Sequence, residues 1–144
     1  MAKKGRKKTT VAQEMEKAAK LLQRLVRLKA ADDNGYAQCV TCDKVDHYKL
    51  LQGGHFIPRT RTIFKLAEFN IAPQCPGCNM FGMKQAHYVL RYRQYMVDTY
   101  GERRVKAMER MAWYPPKKYD REEVIQLARE LKRQIKIEEY RISS

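Results

Sequence analysis

The chain has 144 residues, with 30 lysines and arginines against 16 acidic residues and a formal net charge of +14. This excess of positive charge exceeds what solubility requires and indicates a polyanionic partner such as DNA. No segment approaches 18 consecutive apolar residues, and the basic start lacks the apolar stretch of a signal peptide, so we expect no membrane partner and a cytoplasmic location.

Residues 1–9 are expected to form a disordered basic arm. Their composition cannot bury enough apolar surface to fold. Counterion release from phosphates makes such an arm useful on DNA, and a solubilising tail is the alternative. The candidate DNA contacts of the arm are Lys3, Lys4, Arg6, Lys7 and Lys8.

Residues 10–34 are predicted to form an amphipathic helix and the turn that ends it. Thr10 and Gln13 form a capping-box pattern, and apolar residues recur behind it at helical spacing from Met15 to Val26. The turn residues Asp32 to Gly35 end the helix. Its apolar stripe must be covered by the rest of the chain or by a second copy, and the sequence leaves both open.

Residues 35–83 contain all four cysteines, as two C-x-x-C pairs formed by Cys39, Cys42, Cys75 and Cys78. In the cytoplasm such pairs bind metal more often than they form disulfides. They predict a structural, tetrahedral zinc site, and a redox dithiol or free core cysteines are the alternatives. The 32 residues between Cys42 and Cys75 exceed the spacing of a plain zinc ribbon, so the enclosed loop must carry structure of its own.

Within that loop, the segments 48–51 and 55–57 are the candidate strands of a small hairpin joined by residues 52–54. Arg59, Arg61 and Lys65 follow on an extended segment. A basic loop beside a histidine favours contact with DNA phosphates, and a solvated surface is the alternative.

Residues 84–144 are predicted to form a helical region. After a short helical turn at residues 79–83, helices are expected from about Gln85 to Tyr100, around Val105 to Ala112, and from Asp120 towards Tyr140. The predicted fold class is therefore α+β and mostly helical, with a small zinc-bound core between an N-terminal helix and C-terminal helices.

Two residues of the zinc-closed loop suit phosphodiester hydrolysis. His55 is the candidate general base, because an imidazole with a pKa near 6.5 is largely neutral at pH 7 and can accept a proton. The side-chain oxygen of Asn79, fixed by its neighbour Cys78, is a suitable ligand for Mg²⁺ or Mn²⁺. The sequence thus predicts two different metals, a structural zinc and a catalytic cation held by oxygen.

The order of these motifs resembles the HNH (ββα-metal) nucleases, with the zinc-knuckle layout of the recombination endonuclease VII group. It is more similar still to the phage NinG (Rap) recombination proteins. The similarity covers roughly residues 36–140, although only residues 39–79 carry motifs specific enough to assign roles. The matching residues are Cys39, Cys42, Gly54-His55-Phe56, Glu68, Asn70, Gln74-Cys75, Cys78-Asn79, Tyr92-Arg93 and the region of Trp113.

This resemblance implies a strand-hairpin-helix nuclease that cuts branched DNA, such as Holliday junctions, in a phage-infected cell. His55 would be the general base, Asn70 would brace the loop that positions it, and Asn79 would bind the catalytic cation. A turn-forming role is the alternative for Asn70. A homodimer is expected, because a junction needs two cuts and symmetry supplies them.

Gly54 departs from the pattern, since many of these nucleases place an acidic metal ligand directly before the histidine. Glu68 and Asp46 are the acidic candidates to replace it, and a backbone carbonyl, phosphate or water are the others. Glu68 is equally suited to an ion pair with neighbouring cations. Gly54 also favours an alternative function, a non-catalytic zinc module that binds nucleic acid and recruits recombination or transcription factors.

Overall fold

The computed structural model describes residues 5–143, which contain five α-helices and four short strands. The predicted class, mostly helical α+β, is confirmed. In chain order the elements are α1 (Val11–Ala30), β1 (Tyr36–Gln38), β2 (Val45–His47), β3 (Gln52–His55), β4 (Ile71–Gln74), α2 (Pro76–Met80), α3 (Ala86–Tyr100), α4 (Glu102–Met111) and α5 (Arg121–Ser143).

Helix α1 begins at the predicted capping box. The Thr10 hydroxyl accepts a hydrogen bond from the Gln13 amide nitrogen at 3.1 Å, and the Gln13 side chain accepts one from the Thr10 nitrogen at 2.9 Å. After the helix, the Asp32 carboxylate accepts from the amides of Asn34 and Tyr36, and Gly35 adopts a φ of 90°. These local bonds start and stop the helix where the sequence indicated.

Helices α1 and α5 lie side by side and run in the same direction. At their starts Arg121 donates to the Thr9 carbonyl, and at their ends Arg141 donates to the Ala31 carbonyl. Their apolar stripes cover each other and pack against β1 and β4, so the stripe of α1 is buried within one chain. The residues of this core include Leu22, Leu25, Leu28, Leu51, Ile71, Leu131 and Ile135.

A second core joins the β3–β4 pair to α3 and α4. Tyr92 and Met96 of α3 are fully buried and pack with Val105 and Met108 of α4 against Phe56. The Tyr92 hydroxyl donates to the Gly54 carbonyl at 2.7 Å. Helix α3 therefore fixes the end of β3 where Gly54 precedes His55.

The strands form two separate antiparallel pairs. β1 pairs with β2, and β3 pairs with β4 with His55 opposite Ile71 and Gln52 opposite Gln74. This corrects the predicted hairpin. Residues 48–50, expected to be a strand, form a 3₁₀ turn, and residues 52–54, expected to be the connecting turn, belong to strand β3 together with His55.

Close packing explains why two glycines lie in that strand. A Cβ on Gly53 would come within 2.8 Å of the Gln23 backbone in α1, and a Cβ on Gly54 would overlap the Gln74 side chain. The glycines permit close approach of neighbouring groups and do not form the predicted turn.

The short helix after the second cysteine pair also differs from the prediction. It begins at Pro76, directly after Cys75, and a 3₁₀ turn follows at Gly82–Lys84. Proline is favoured in the first turn of a helix because a backbone N–H has no intrahelical acceptor there, so proline loses no hydrogen bond by lacking one. Within residues 5–143, no helix is both long enough and apolar enough to cross a lipid bilayer.

Candidate metal centre and polar cleft

The four cysteines converge from three places in the fold. Cys39 and Cys42 lie in the turn between β1 and β2, Cys75 follows β4, and Cys78 lies in α2. Their sulfur atoms all lie within 4.8 Å of one another, and those of Cys42 and Cys75 are 3.7 Å apart. Tetrahedral zinc with bonds of about 2.3 Å would separate its sulfur ligands by roughly 3.8 Å, whereas a disulfide measures about 2.05 Å. The cluster could therefore hold a zinc ion.

The thiols of this cluster differ in acidity. Burial opposes ionisation of Cys39, but hydrogen bonds led by the one from the Thr41 hydroxyl outweigh it and lower the pKa of Cys39 to about 6. Burial raises the pKa of Cys78 to about 12, although the Thr41 hydroxyl acts in the opposite direction. Metal binding at neutral pH would therefore release a proton more readily from Cys78 than from Cys39, which is already largely ionised.

A polar cleft of about 560 Å³ lies beside this cluster. His55 and Asn79 both line it, together with Arg27 and Arg59. No acidic side chain is among the described residues that line it. The remaining lining residues are Gln23, Leu51, Gln52, Gly53, Phe56, Pro58, Met83 and Val89.

His55 is half-buried at the end of β3, and one of its ring nitrogens is fixed. Nε2 lies 3.1 Å from the Lys65 carbonyl oxygen. A carbonyl can only accept, so in the neutral ring Nε2 carries the proton and Nδ1 is the nitrogen that can accept one. Burial lowers the pKa of His55, and the charges of Arg59 and Lys65 lower it further, against the opposing effect of the Lys65 carbonyl. The ring is thus neutral at pH 7 and can accept a proton.

Asn70 is completely buried and connects the ends of the loop that follows His55. Its side-chain oxygen accepts from the Ile57 nitrogen at 2.8 Å, while its amide donates to the carbonyls of Ile57 and Phe64 at 2.9 and 3.3 Å. Its own carbonyl accepts from the Phe56 nitrogen at 2.9 Å. These bonds hold the loop that carries the Lys65 carbonyl against the His55 ring.

Asn79 lies in α2 with its amide oriented by a neighbouring side chain. Its Nδ2 donates to Gln52 Oε1 at 2.8 Å, which turns Oδ1 to the opposite side. Among the described residues Oδ1 has no hydrogen-bond donor. It lies 3.0 Å from the point where a Cβ on Gly54 would be. This amide oxygen could serve as a ligand for a hard cation.

Gln74 is a second amide beside Gly54, and it is fully buried. Its Nε2 donates to the Thr41 hydroxyl at 3.3 Å, whereas Oε1 has no donor within the described part of the chain. A buried acceptor without a partner costs about 1–3 kcal/mol. A bound cation near Asn79 is one group that would offset this cost.

The two acidic candidates for the cation lie elsewhere. Glu68 pairs with Lys29 of α1 at 2.7 Å, and Asp46 lies in β2, where it accepts from the His47 nitrogen and is 3.7 Å from Lys44. Neither lines the cleft that contains His55 and Asn79.

The predicted DNA-contacting cations of the loop are not free. Glu16 of α1 binds Arg59 at 2.8 Å and Lys65 at 2.6 Å, and its pKa falls to about 2 because of hydrogen bonds from Lys65 and Arg59. Arg61 stacks over Trp113 with its guanidinium carbon 4.5 Å from the ring centre. Sequence spacing gave no indication of Glu16, which is more than 40 positions from either cation.

The cations of the N-terminal arm lie only partly within the described residues. Arg6, Lys7 and Lys8 lie in an exposed segment without regular structure, and Lys3 and Lys4 lie outside the described residues.

Four further residues shape the site without having been predicted to do so. Gln52 orients Asn79, Gln74 packs under Gly54, and Tyr92 fixes the Gly54 carbonyl. Arg27 reaches the cleft from α1 and donates to the carbonyls of Tyr48 and Leu51 at 3.3 and 2.9 Å. Only Gln74 and Tyr92 belong to the matching motif residues, and their type alone indicates no role.

Comparison with known proteins gives one clear result. A family model described as the bacteriophage lambda NinG protein matches residues 2–140, nearly the whole chain. Searches of curated proteins and of solved structures gave no significant match. The resemblance drawn from the cysteine and Gly-His motifs is confirmed at the level of the family, and the chain belongs to the bacteriophage lambda NinG protein family.

Proposed function

We propose that the protein is a metal-dependent DNA endonuclease of the HNH type that acts on branched recombination intermediates. The observation that carries the proposal is His55, a neutral imidazole with a fixed protonated nitrogen, lining the same cleft as Asn79 and two arginines. The order of β3, β4 and α2, with these side chains at its edges, supports the assignment to the HNH type.

The side chains of the cleft have different roles in phosphodiester hydrolysis. Nδ1 of His55 takes a proton from the attacking water, while the Lys65 carbonyl holds the ring and stabilises the imidazolium that forms. Arg27 and Arg59 give the cleft the positive charge that attracts the phosphate backbone, with Arg59 paired to Glu16 in the DNA-free protein. Mg²⁺ or Mn²⁺, held by Asn79, would supply charge to stabilise the non-bridging and leaving oxygens.

The cysteine centre has a separate, structural task in this proposal. Zinc on the four thiolates would join the β1–β2 turn to the end of β4 and to α2. Because Asn79 directly follows Cys78, the position of its side chain depends on that connection. Zinc itself takes no part in the chemistry.

The proposal is tested with purified, zinc-loaded protein on a four-way junction and on a linear duplex of matched sequence, with and without Mg²⁺. We expect Mg²⁺-dependent cutting that favours the junction and disappears in His55→Ala. His87→Ala is the matched control, because His87 is exposed at the start of α3 and should cut normally. Cutting that persists in His55→Ala, or no metal-dependent cutting at all, would sink the proposal.

A non-catalytic zinc module that binds nucleic acid and recruits other factors is the second candidate function. Gly54 favours it, because no acidic side chain precedes His55 and none lines the cleft in the described part of the chain. This function predicts junction binding that weakens steeply with salt, does not depend on His55 and leads to no hydrolysis.

The proposal includes a homodimer, since two cuts across a junction are most simply made by two symmetric copies. The apolar stripes of α1 and α5 already cover each other, so any dimer must use another surface. Sedimentation of the protein with and without a four-way junction tests this, and a single copy per junction at saturation contradicts it.

A further inference from the structure

We propose that Gln74 supplies the protein oxygen that replaces the missing carboxylate before His55, so that Gln74 Oε1 and Asn79 Oδ1 together bind the divalent cation. This inference rests on the proposed function for the presence of that cation. It assigns a ligand role to Gln74, a matching motif residue whose type alone indicates no role.

The first step is the direction of the Gln74 amide. The Thr41 hydroxyl lies 3.2 Å from the Cys39 sulfur and 3.3 Å from Gln74 Nε2. With zinc bound, the Cys39 thiolate could only accept, so the hydroxyl would give its one proton to that sulfur and would accept from Gln74 Nε2. The Gln74 nitrogen therefore faces Thr41, and Oε1 faces the opposite way, towards Gly54.

The second step is the direction of the Asn79 amide, which the Gln52 side chain sets in the same manner. Gln52 Oε1 accepts from Asn79 Nδ2, so Asn79 Oδ1 also faces Gly54. A Cβ on Gly54 would overlap Gln74 Oε1 and lie 3.0 Å from Asn79 Oδ1. Both oxygens therefore flank the position from which an acidic side chain at residue 54 would extend.

The third step is that neither oxygen has a hydrogen-bond donor among the described residues. Gln74 is fully buried, and its Oε1 is one of two buried side-chain oxygen or nitrogen atoms without a hydrogen bond among residues 5–143. Amide oxygens are suitable ligands for hard cations, and Mg²⁺ commonly takes few protein ligands and keeps several waters. The lack of a side chain at Gly54 thus leaves room for Gln74 Oε1. This oxygen takes the place of the carboxylate oxygen that an acidic residue at position 54 would supply.

The test measures Mn²⁺ binding to zinc-loaded protein without DNA, from the electron paramagnetic resonance signal of free Mn²⁺. Gln74→Met keeps the volume but removes the oxygen, and we expect its Mn²⁺ affinity to fall about tenfold or more. Gln74→Glu restores a carboxylate, so its affinity should equal or exceed the wild-type value and rise with pH as the buried acid ionises.

Gln23→Glu is the control, because it adds the same charge to the wall of the cleft that Asn79 lines, away from Gln74. It should lack the rise in affinity with pH. Zinc content and thermal unfolding of each variant show whether the fold is intact. If Gln74→Met does not fold, the double variant Gly54→Asp with Gln74→Ala provides the test. It should bind Mn²⁺ more tightly than Gly54→Asp alone, because in the single variant the new aspartate and the Gln74 side chain would overlap.

Wild-type affinity in folded Gln74→Met, or no gain in the double variant over Gly54→Asp, overturns the assignment of Gln74. In that event Gln74 acts only as a hydrogen-bonded spacer beside Thr41. Mg²⁺-dependent cutting that still requires His55 would then leave the proposed nuclease function standing. Absence of both Mn²⁺ binding and cutting would overturn both proposals.

Discussion

The cysteine cluster and the polar cleft lie side by side, but they are built in different ways. The cluster consists of four residues of one rare type, whose sulfur atoms converge within 4.8 Å. The cleft combines common residue types from α1, β3, α2 and α3 and from the loop after β3, and His55 and Asn79 in it are each oriented by a neighbouring group. The cysteine cluster depends mainly on its four ligands, whereas the cleft depends on the hydrogen bonds that orient its functional side chains.

Removal of zinc should produce the largest effect. Structural zinc–thiolate sites contribute on the order of 10–16 kcal/mol in finger peptides, which is comparable to the whole stability of a domain. Chelation should therefore unfold the central strands and release α2, as followed by circular dichroism and by reactivity of the four thiols. Readdition of zinc should reverse the change, and full retention of the fold after zinc removal would contradict the structural role of the cluster.

The pH dependence of cutting tests the cleft independently of the zinc cluster. Only neutral His55 accepts a proton, and burial lowers its pKa below the usual value of about 6.5. The cleavage rate should therefore stay level from pH 8 to below about pH 6.5 and fall only at lower pH. Removal of the His55 imidazole should reduce the rate in this level range by about 10²–10⁴. A midpoint above about pH 6.5 contradicts this environment for His55.

The same lowered pKa has a consequence for stability. Between the folded and unfolded pKa values of His55, the unfolded chain binds more protons, so the stability contributed by neutral His55 is present above about pH 6.5 and declines as pH falls towards the folded pKa. The decline should be smaller in His55→Ala than in the wild-type protein. Urea unfolding at several pH values provides the measurement.

Removal of the loop brace should have an intermediate effect. Asn70→Ala loses three side-chain hydrogen bonds and leaves buried partners unpaired, which should cost about 2–4 kcal/mol of unfolding free energy. Cutting should slow as well, because the loop that holds the His55 ring is released. Asn34→Ala in the exposed turn after α1 is the control, and an equal loss in both variants would show that Asn70 has no special bracing role.

Release of the loop cations should have the smallest effect. Glu16→Gln removes the carboxylate that pairs with Arg59 and Lys65, so one or both cations become free for DNA phosphates. The salt dependence of DNA binding should then steepen by about 1–2 in its logarithmic slope, with little change in stability. Glu130→Gln, which frees Arg133 on α5, is the control. An unchanged slope in Glu16→Gln places the DNA away from this loop.

The sequence predicted the features that depend on local pattern. The capping box of Thr10 and Gln13, the helical stripes and the two cysteine pairs each carry their own structural rule, and the helices begin and end close to the predicted positions. The hairpin was predicted wrongly, because Gly53 and Gly54 suggest a turn unless the close approach of Gln23 and Gln74 is known.

The same limit applies to the cleft. His55 and Asn79 were accessible to prediction because they lie next to recognisable motifs. Gln52, Gln74 and Glu16 were not, because their partners lie between 27 and 49 positions away and are brought close only by tertiary packing. Identification of such residues requires the structure, since glutamine and glutamate occur throughout the chain without a comparable role.

The central claim is that zinc maintains the fold while His55 performs the chemistry. It is tested most directly by measuring zinc content and Mg²⁺-dependent junction cleavage together in His55→Ala and in the wild-type protein. The account predicts one zinc per chain in both proteins, with cleavage only in the wild type. Equal cleavage in both, or a wild-type protein that holds zinc and binds the junction without cutting it, would contradict the claim.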